Sequence, residues 1–373
     1  MKKLLATLVL SLGLVVTVQA QSSVTVYGIM DVGYQGKNLK GSPATATNTL
    51  NSNQFGSSAE TASRLGFRGV EDLGGGTSAF FTIETGLTPT NSTVSTWFNR
   101  QSFVGLAQKG LGNVAIGTQY GPIFNALAAT DPGGINGTIG SVIWPSAGTD
   151  GGQSTADAAF TIRFANSLTA TTDRFKGFKA NALYALNNQD STKTGATTGG
   201  TVNNNAYGLG VDYVLGAFYA TVAYQNVKSI NDTSASASVS SSFVGTNTTD
   251  SQLYAAATYD LKIVKLFAAY TDRNITSNLN SANQLNRTGQ QIGARGFITP
   301  KVEGWASAGN GRYSAFGTNQ ATANFTAYQL GSNYWMSKRT NLYAIVGSTQ
   351  TSSTSQTGSL SGNMYSAGIR HTF

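Results

Sequence analysis

The sequence predicts an all-β protein, a closed antiparallel barrel of about sixteen strands that crosses a membrane. Three observations carry that expectation. Segments of roughly ten residues alternating apolar with polar or small residues recur along the chain. The connections between them alternate between short turns and long stretches rich in Ser, Thr, Asn and Gly. The 373-residue chain is only 11% charged, far below the usual quarter for a soluble globular protein, yet beyond its N-terminus no run approaches the roughly 18 apolar residues of a membrane helix.

Residues 1–20 read as a secretory signal peptide: Lys2-Lys3, an apolar core from Leu4 to Val16, and a small-residue cleavage site at Val18-Gln19-Ala20. Residues 21–373 are then one barrel domain, with no second domain and no solenoid period. Without Lys2 and Lys3 the 24 basic residues fall to 22 against 16 acidic ones, a net charge of about +6. The basic residues are scattered singly, which argues against a nucleic-acid partner. An exported chain with no cysteine has no disulfide scaffold, so sheet closure has to hold it together.

Taken in order, VTVYGIMDVGY from Val24 is the first strand, with Val24, Val26, Gly28 and Met30 on one parity. In SRLGFRG from Ser63, Leu65 and Phe67 share one face and Arg64, Gly66 and Arg68 the other. A turn at Gly74-Gly75-Gly76 leads to SAFFTIET, where Phe81 and Ile83 oppose Thr82 and Glu84. NRQSFVGLAQ follows, with Arg100 and Ser102 on the parity opposite Phe103, and then NVAIGTQYG. AFTIRFA from Ala159 sets Phe160, Ile162 and Phe164 against Arg163. Further strands are expected at 175–186, 206–215, 218–228, 252–261, 264–272, 290–298, 302–313, 325–336, 341–348 and 364–373. Tyr27, Tyr207, Tyr213, Tyr259, Trp335 and Tyr343 near strand ends suit the aromatic girdles of a membrane interface.

One stretch interrupts the pattern. From Gly121 to Ala158 no alternation runs, and Pro122, Asp131-Pro132-Gly133-Gly134, Pro145 and Gly151-Gly152 break the backbone repeatedly. Long irregular loops are uncommon and usually functional or disordered. Irregular backbone at membrane depth is tolerated where it lines water, so residues 121–158 are expected to fold into the lumen as a constriction loop.

Four segments together resemble the general porins of β-proteobacteria: SVTVYGIMDVGY, SRLGFRGVEDLGGG from Ser63, FNRQSFVGLAQKGLGNVAIGTQYGP from Phe98, and the terminal GIRHTF. The resemblance spans the chain beyond the signal peptide. It implies a homotrimer of sixteen-stranded barrels in the Gram-negative outer membrane, with the third extracellular loop in each lumen. A wall arginine cluster facing that loop would favour anions. It also implies that Phe373 is the C-terminal assembly signal, with the barrel assembly machinery, outer-membrane lipid and lipopolysaccharide as partners.

The residues expected to carry the pore are Arg64, Arg68, Arg100 and Arg163, read on the lumen parity of their strands. Counted from the following short turn, Arg64 and Arg100 stand about nine residues up and Arg68 and Arg163 about five, mid-wall depths at roughly 3.3 Å per residue. Guanidinium stays charged and presents planar donors, and rings of Arg or Lys build anion-preferring pores. Arginines that merely hydrate a polar lumen are the plainer alternative. Asp131, Asp150 and Asp157 on the loop either face the arginines or tie the loop to the wall.

An enzyme is not expected. The only histidine, His371, stands three residues from the C-terminus, and no His, Cys and carboxylate cluster has metal-ligand spacing. Gly74-Gly75-Gly76 opens no helix, so it is no phosphate loop. No cofactor is implied. The expected function is general diffusion of small hydrophilic solutes and ions, with anions preferred. A channel specific for small organic acids or phosphate-like anions is the alternative, and a secreted adhesin, which should show short repeats, fits least.

Overall fold

The structure is a computed structural model that describes residues 23–40, 49–91, 93–94, 100–145, 162–191, 200–231, 247–316, 322–352 and 359–373. The expected signal peptide, Asp150 and Asp157 lie outside the described residues. The strands are β1 Ser23–Lys40, β2 Thr49–Ser57, β3 Arg64–Gly74, β4 Thr77–Thr88, β5 Thr93–Val94, β6 Gln101–Gln108, β7 Gly112–Tyr120, β8 Arg163–Thr172 and β9 Phe178–Ser191. They continue as β10 Gly200–Leu215, β11 Phe218–Asn231, β12 Thr248–Asp260, β13 Lys265–Ser277, β14 Gln284–Phe297, β15 Val302–Phe316, β16 Ala323–Trp335, β17 Thr340–Thr351 and β18 Leu360–Thr372. One helix, α1 Pro122–Thr130, follows β7.

Every strand pairs antiparallel with its neighbours, and β1 closes the ring on β18, from Ile29 opposite Thr372 to Lys40 opposite Ser361. β2 and β3 are two halves of one wall strand, since β2 pairs the upper half of β1 and β3 its lower half. β5 pairs only the end of β4. The wall therefore has sixteen strands, and closure leaves no sheet edge to solvate, as a membrane requires.

The two faces differ as alternation demands. Val24, Val26, Val104, Leu106, Val114, Ile116, Ile292 and Leu330 point outward and are exposed, while their neighbours Gly105, Ala115, Gln291 and Gln329 point in and are buried. The turn from β3 to β4 needs glycine because Gly74, Gly75 and Gly76 all have positive φ, at 84°, 60° and 79°.

At the break between β2 and β3, a buried carboxylate replaces the lost ladder. Asp31 Oδ2 accepts the backbone N–H groups of Glu60 (2.8 Å) and Thr61 (2.6 Å), and its Oδ1 accepts the Tyr343 hydroxyl (2.7 Å). The Asp31 N–H donates to Ser63 Oγ at 3.0 Å. Buried backbone donors without such partners are costly, so this side chain is what lets the wall strand interrupt itself.

Two expectations change. Most strands from β10 to β18 run further than the pattern suggested, to Asn231, Ser277 and Phe316 for example. Their extra residues point Asn203, Asn205, Ser251, Asn274, Asn286 and Ser314 outward, so the ladder continues after the apolar alternation stops. The interruption also begins with a helix rather than irregular chain. Pro122 occupies its first turn, where a missing N–H costs nothing. Ile123, Ala126, Leu127 and Thr130 form its buried stripe, at the i, i+3, i+4, i+7 spacing of an amphipathic helix.

Candidate functional site

The segment from α1 to Pro145 runs against inward-pointing residues over a wide arc of the wall. α1 packs Ile123, Ala126 and Leu127, with Ile143, on Ala223 of β11 and Tyr254 and Ala256 of β12. The Ile123 N–H donates to Gln225 Oε1 (3.0 Å), and the Thr130 and Tyr254 hydroxyls bond at 2.7 Å. Further along, Arg295 donates to the Pro132 carbonyl (3.1 Å), Arg287 to the Val142 carbonyl (2.8 Å), and the Val142 N–H to Gln291 Oε1 (2.8 Å). Gln329 on β16 donates to the carbonyls of Thr138 (2.7 Å) and Ile139 (3.0 Å). The Thr138 hydroxyl meets Ser366 on β18 at 3.0 Å, and the Gly137 N–H donates to the Ala59 carbonyl in the strand break at 2.9 Å.

Glycine permits the tightest approach. A Cβ on Gly347 would lie 1.7 Å from the Ile139 carbonyl oxygen, and one on Gly140 (φ 112°) would lie 2.2 Å from that of Tyr328. No other residue fits where the two backbones touch.

Three of the expected arginines, Arg64, Arg68 and Arg100, stand together on the arc from β3 to β6, to which the described part of the segment makes no side-chain hydrogen bond. Glu84 on β4 is buried and holds two of them: Arg100 Nε donates to its Oε1, and Arg64 Nη1 stands 3.9 Å from its Oε2. Tyr27 donates to Glu84 Oε2 (3.1 Å) and Arg100 Nη2 donates to the Tyr120 hydroxyl (2.7 Å). Arg68 is exposed, with its guanidinium 5.5 Å from the centre of the Tyr27 ring. Three guanidiniums against one carboxylate leave this patch with a formal charge of +2.

Arg64 and Arg68 share an inner parity with Glu84, since Gly66, between them, pairs Glu84. Arg100 reaches the same place by another route. In β6 it is Phe103 that points inward and Val104 and Leu106 that point out, so the parity assigned to Arg100 and Ser102 was reversed. Arg100 precedes the strand and is free of its alternation. At the irregular start of β8 both neighbours face inward: Phe164 is buried with Leu183, Ala185 and Ala206, and Arg163 shares the face of its ladder partner Tyr120. Arg163 pairs Tyr120 in the ladder and lies 5.4 Å over its ring, one residue pair away from the Arg64–Glu84–Arg100 knot.

Asp131 does not face the arginines. It is buried at the C-terminal end of α1, accepting the Ile135 N–H (2.7 Å) and Gln291 Nε2 (3.4 Å), and thus ties the segment to β14. Burial pushes its carboxyl above the ordinary range, partly offset by these donors. Phe373 closes the barrel seam, exchanging backbone hydrogen bonds of 3.1 Å with Gly28. The His371 ring bonds the Thr340 hydroxyl at 2.8 Å on the exposed face.

Glu84 is the residue that sequence reasoning passed over, although its inner parity opposite Phe81 and Ile83 was legible. Arg273, Arg287, Arg295 and Arg370 also point inward. Arg273 pairs Asp250 at 2.7 Å, Arg295 pairs Glu303 at 2.7 Å, and Arg370 stands 3.4 Å from Glu60.

A closed antiparallel barrel with an apolar outer belt and an inner face of charge and carboxamide defines an integral outer-membrane channel protein. The chain belongs to the Gram-negative porin family, whose match spans residues 6–354. It is 27% identical over 376 residues to an outer membrane porin protein of Bordetella pertussis, covering 92% of this chain and 93% of that one. Its fold is similar to the anion-selective porin from Comamonas acidovorans (TM-score 0.70, 23% identity, covering 95% of this chain and all of that one). It is also similar to the trimer form of Vibrio cholerae OmpT (TM-score 0.63, 13% identity, covering 94% and 99%).

Proposed function

We propose that this barrel is a general diffusion channel for small hydrophilic solutes and ions, mildly anion-preferring, with residues 121–145, the described part of the expected constriction loop, lying in the lumen and narrowing it. The observation that carries the reading is the disposition of the inner face. The segment bonds inward-pointing residues on β11, β12, β14, β16 and β18, on one arc of a closed ring, and the +2 patch of Arg64, Arg68, Arg100 and Glu84 stands on the other arc. An anion crossing between them meets fixed positive charge in a water-filled space where field lines escape less easily than at an open surface.

The anion preference draws support from the Comamonas acidovorans porin, and assembly as a homotrimer from the V. cholerae trimer form. The reading of Phe373 as the assembly signal draws support from its backbone bonds to Gly28 at the barrel seam. The test is the full-length protein in planar bilayers. Stepwise ohmic conductance with a reversal potential displaced toward that of the anion in a salt gradient is expected. A neutral reversal potential would remove the anion preference, and voltage-independent absence of steps would remove the channel.

A further inference from the structure

Below α1, toward the short-turn end of the barrel, the inner faces of β4 and β6 to β9 enclose a recess of about 140 Å³. Its lining combines two chemistries. Phe80, Phe103 and Tyr120 supply rings, and Asn113, Asn125 and Asn181 supply carboxamides. Phe80 and Phe103 meet edge to face at 6.2 Å, and Tyr120 stacks on Phe124 of α1 at 4.2 Å, so the rings are held in place from two sides.

The carboxamides are held differently from those that build the wall. Gln119, at the same recess, spends its amide on the Ala115 carbonyl (3.0 Å) and its Oε1 on the Thr169 hydroxyl (2.6 Å). The side chains of Asn113 and Asn125 bond no described residue, and Asn181 Oδ1 is buried without a partner. A buried acceptor left this way calls for an explanation. Positive charge stands at the rim: Tyr120, which walls the recess, accepts Arg100 at 2.7 Å and carries Arg163 over its face at 5.4 Å.

Ring faces stack on the apolar C–H faces of a saturated ring, carboxamides exchange hydrogen bonds with hydroxyls, and a guanidinium takes a carboxylate. We propose that the recess is a weak binding site for monosaccharide acids, hydroxylated rings bearing one carboxylate, occupied in transit past the arginines. The site rests on the channel reading and names a solute class for it. Its lining, a few oriented polar groups among rings, has the make-up of a ligand pocket, while its volume lies below the roughly 300–1,000 Å³ of such pockets, so a bound ring sits partly in the lumen and leaves readily through the open side.

The experiment is solute block of single-channel current, with the full-length protein in planar bilayers at constant chloride and glucuronate as the probe. The expected result is a saturable, reversible loss of current, with glucose at the same concentration giving the smaller block. Asn113→Ala and Asn125→Ala should raise the half-blocking concentration, and Phe103→Leu should raise it roughly 3- to 10-fold through the lost ring contact. Asn125 is exposed on α1, so its variant keeps the test valid if a wall variant fails to fold. A linear, non-saturating decline, equal block by glucose, or unchanged half-block in folded variants overturns the site while leaving the channel intact. Loss of all conductance steps in the wild type would overturn both.

Discussion

Glu84→Gln separates charge from shape at the arginine patch. Glutamine keeps its carbonyl oxygen as the acceptor for Arg100, and its NH2 group can donate to the Tyr27 hydroxyl, whose O–H is free to turn, so the barrel should fold. What disappears is the single negative charge set against Arg64, Arg68 and Arg100, and the patch rises from +2 to +3. For an ion passing at roughly 6 Å, one unit charge in a water-like dielectric is worth about 0.7 kcal/mol. That is roughly threefold in local anion concentration, and because cations are repelled equally, about tenfold in the anion-to-cation ratio. The assay is the reversal potential across a salt gradient near 0.1 M, where the Debye length is about 10 Å, repeated near 1 M, where it is about 3 Å. The shift should be large at low salt and nearly gone at high salt. An unchanged reversal potential at 0.1 M in a correctly folded variant would refute the claim that this patch governs selectivity.

Arg100→Ala should lower anion selectivity more than Arg163→Ala, because Arg100 belongs to the Glu84 knot and Arg163 stacks beside it on Tyr120; equal effects in the same reversal-potential assay would count against the distinction. Gly347→Ala should change single-channel conductance, since its Cβ would stand 1.7 Å from the Ile139 carbonyl oxygen, whereas Gly75→Ala, with open space around it but a φ of 60°, should cost turn stability and leave the conductance of folded channels alone. Asp131 should make heat resistance on denaturing gels depend on pH. Its carboxyl is raised by burial, so its contribution is complete below the unfolded value near 3.9 and is lost as pH rises through the folded value. Asp131→Asn, neutral throughout, should flatten that dependence. Asp31→Ala strands the N–H groups of Glu60 and Thr61, each worth about 1–3 kcal/mol when buried and unpaired, and denaturant titration should show the barrel weakened accordingly.

The wall was legible because lipid outside and water inside impose a period of two that sequence displays directly, and Val24 to Met30 or Leu65 to Phe67 show it. It misled where the inner face is itself apolar. Phe103 and Phe164 look like lipid-facing residues, but they lie beneath α1, where Phe103 walls the recess and Phe164 packs with Leu183. The strand ends were underread for the opposite reason, since Asn203, Asn274 and Asn286 extend the ladder without an apolar partner face. The helix was hidden by treating Pro122 as a breaker, although a proline in the first turn starts a helix as readily as it ends one. Which acid would meet the arginines could not be read from the loop, because the partner, Glu84, belongs to the neighbouring strand and meets them only through the register of β3, β4 and β6.

The overlong strands set a limit on how far this channel can be opened. On β13 the ladder continues seven residues past Tyr270, to Ser277, roughly 18 Å of polar-faced wall once strand tilt is allowed for. With residues 121–145 as the proposed constriction, a solute would diffuse through a protein-walled antechamber before it met the narrow zone, and the two lengths would resist its passage in series. Enlarging the narrow zone would reduce only one of them. Conductance would then level off at the value fixed by the antechamber, while selectivity, decided where the charges are, would keep changing.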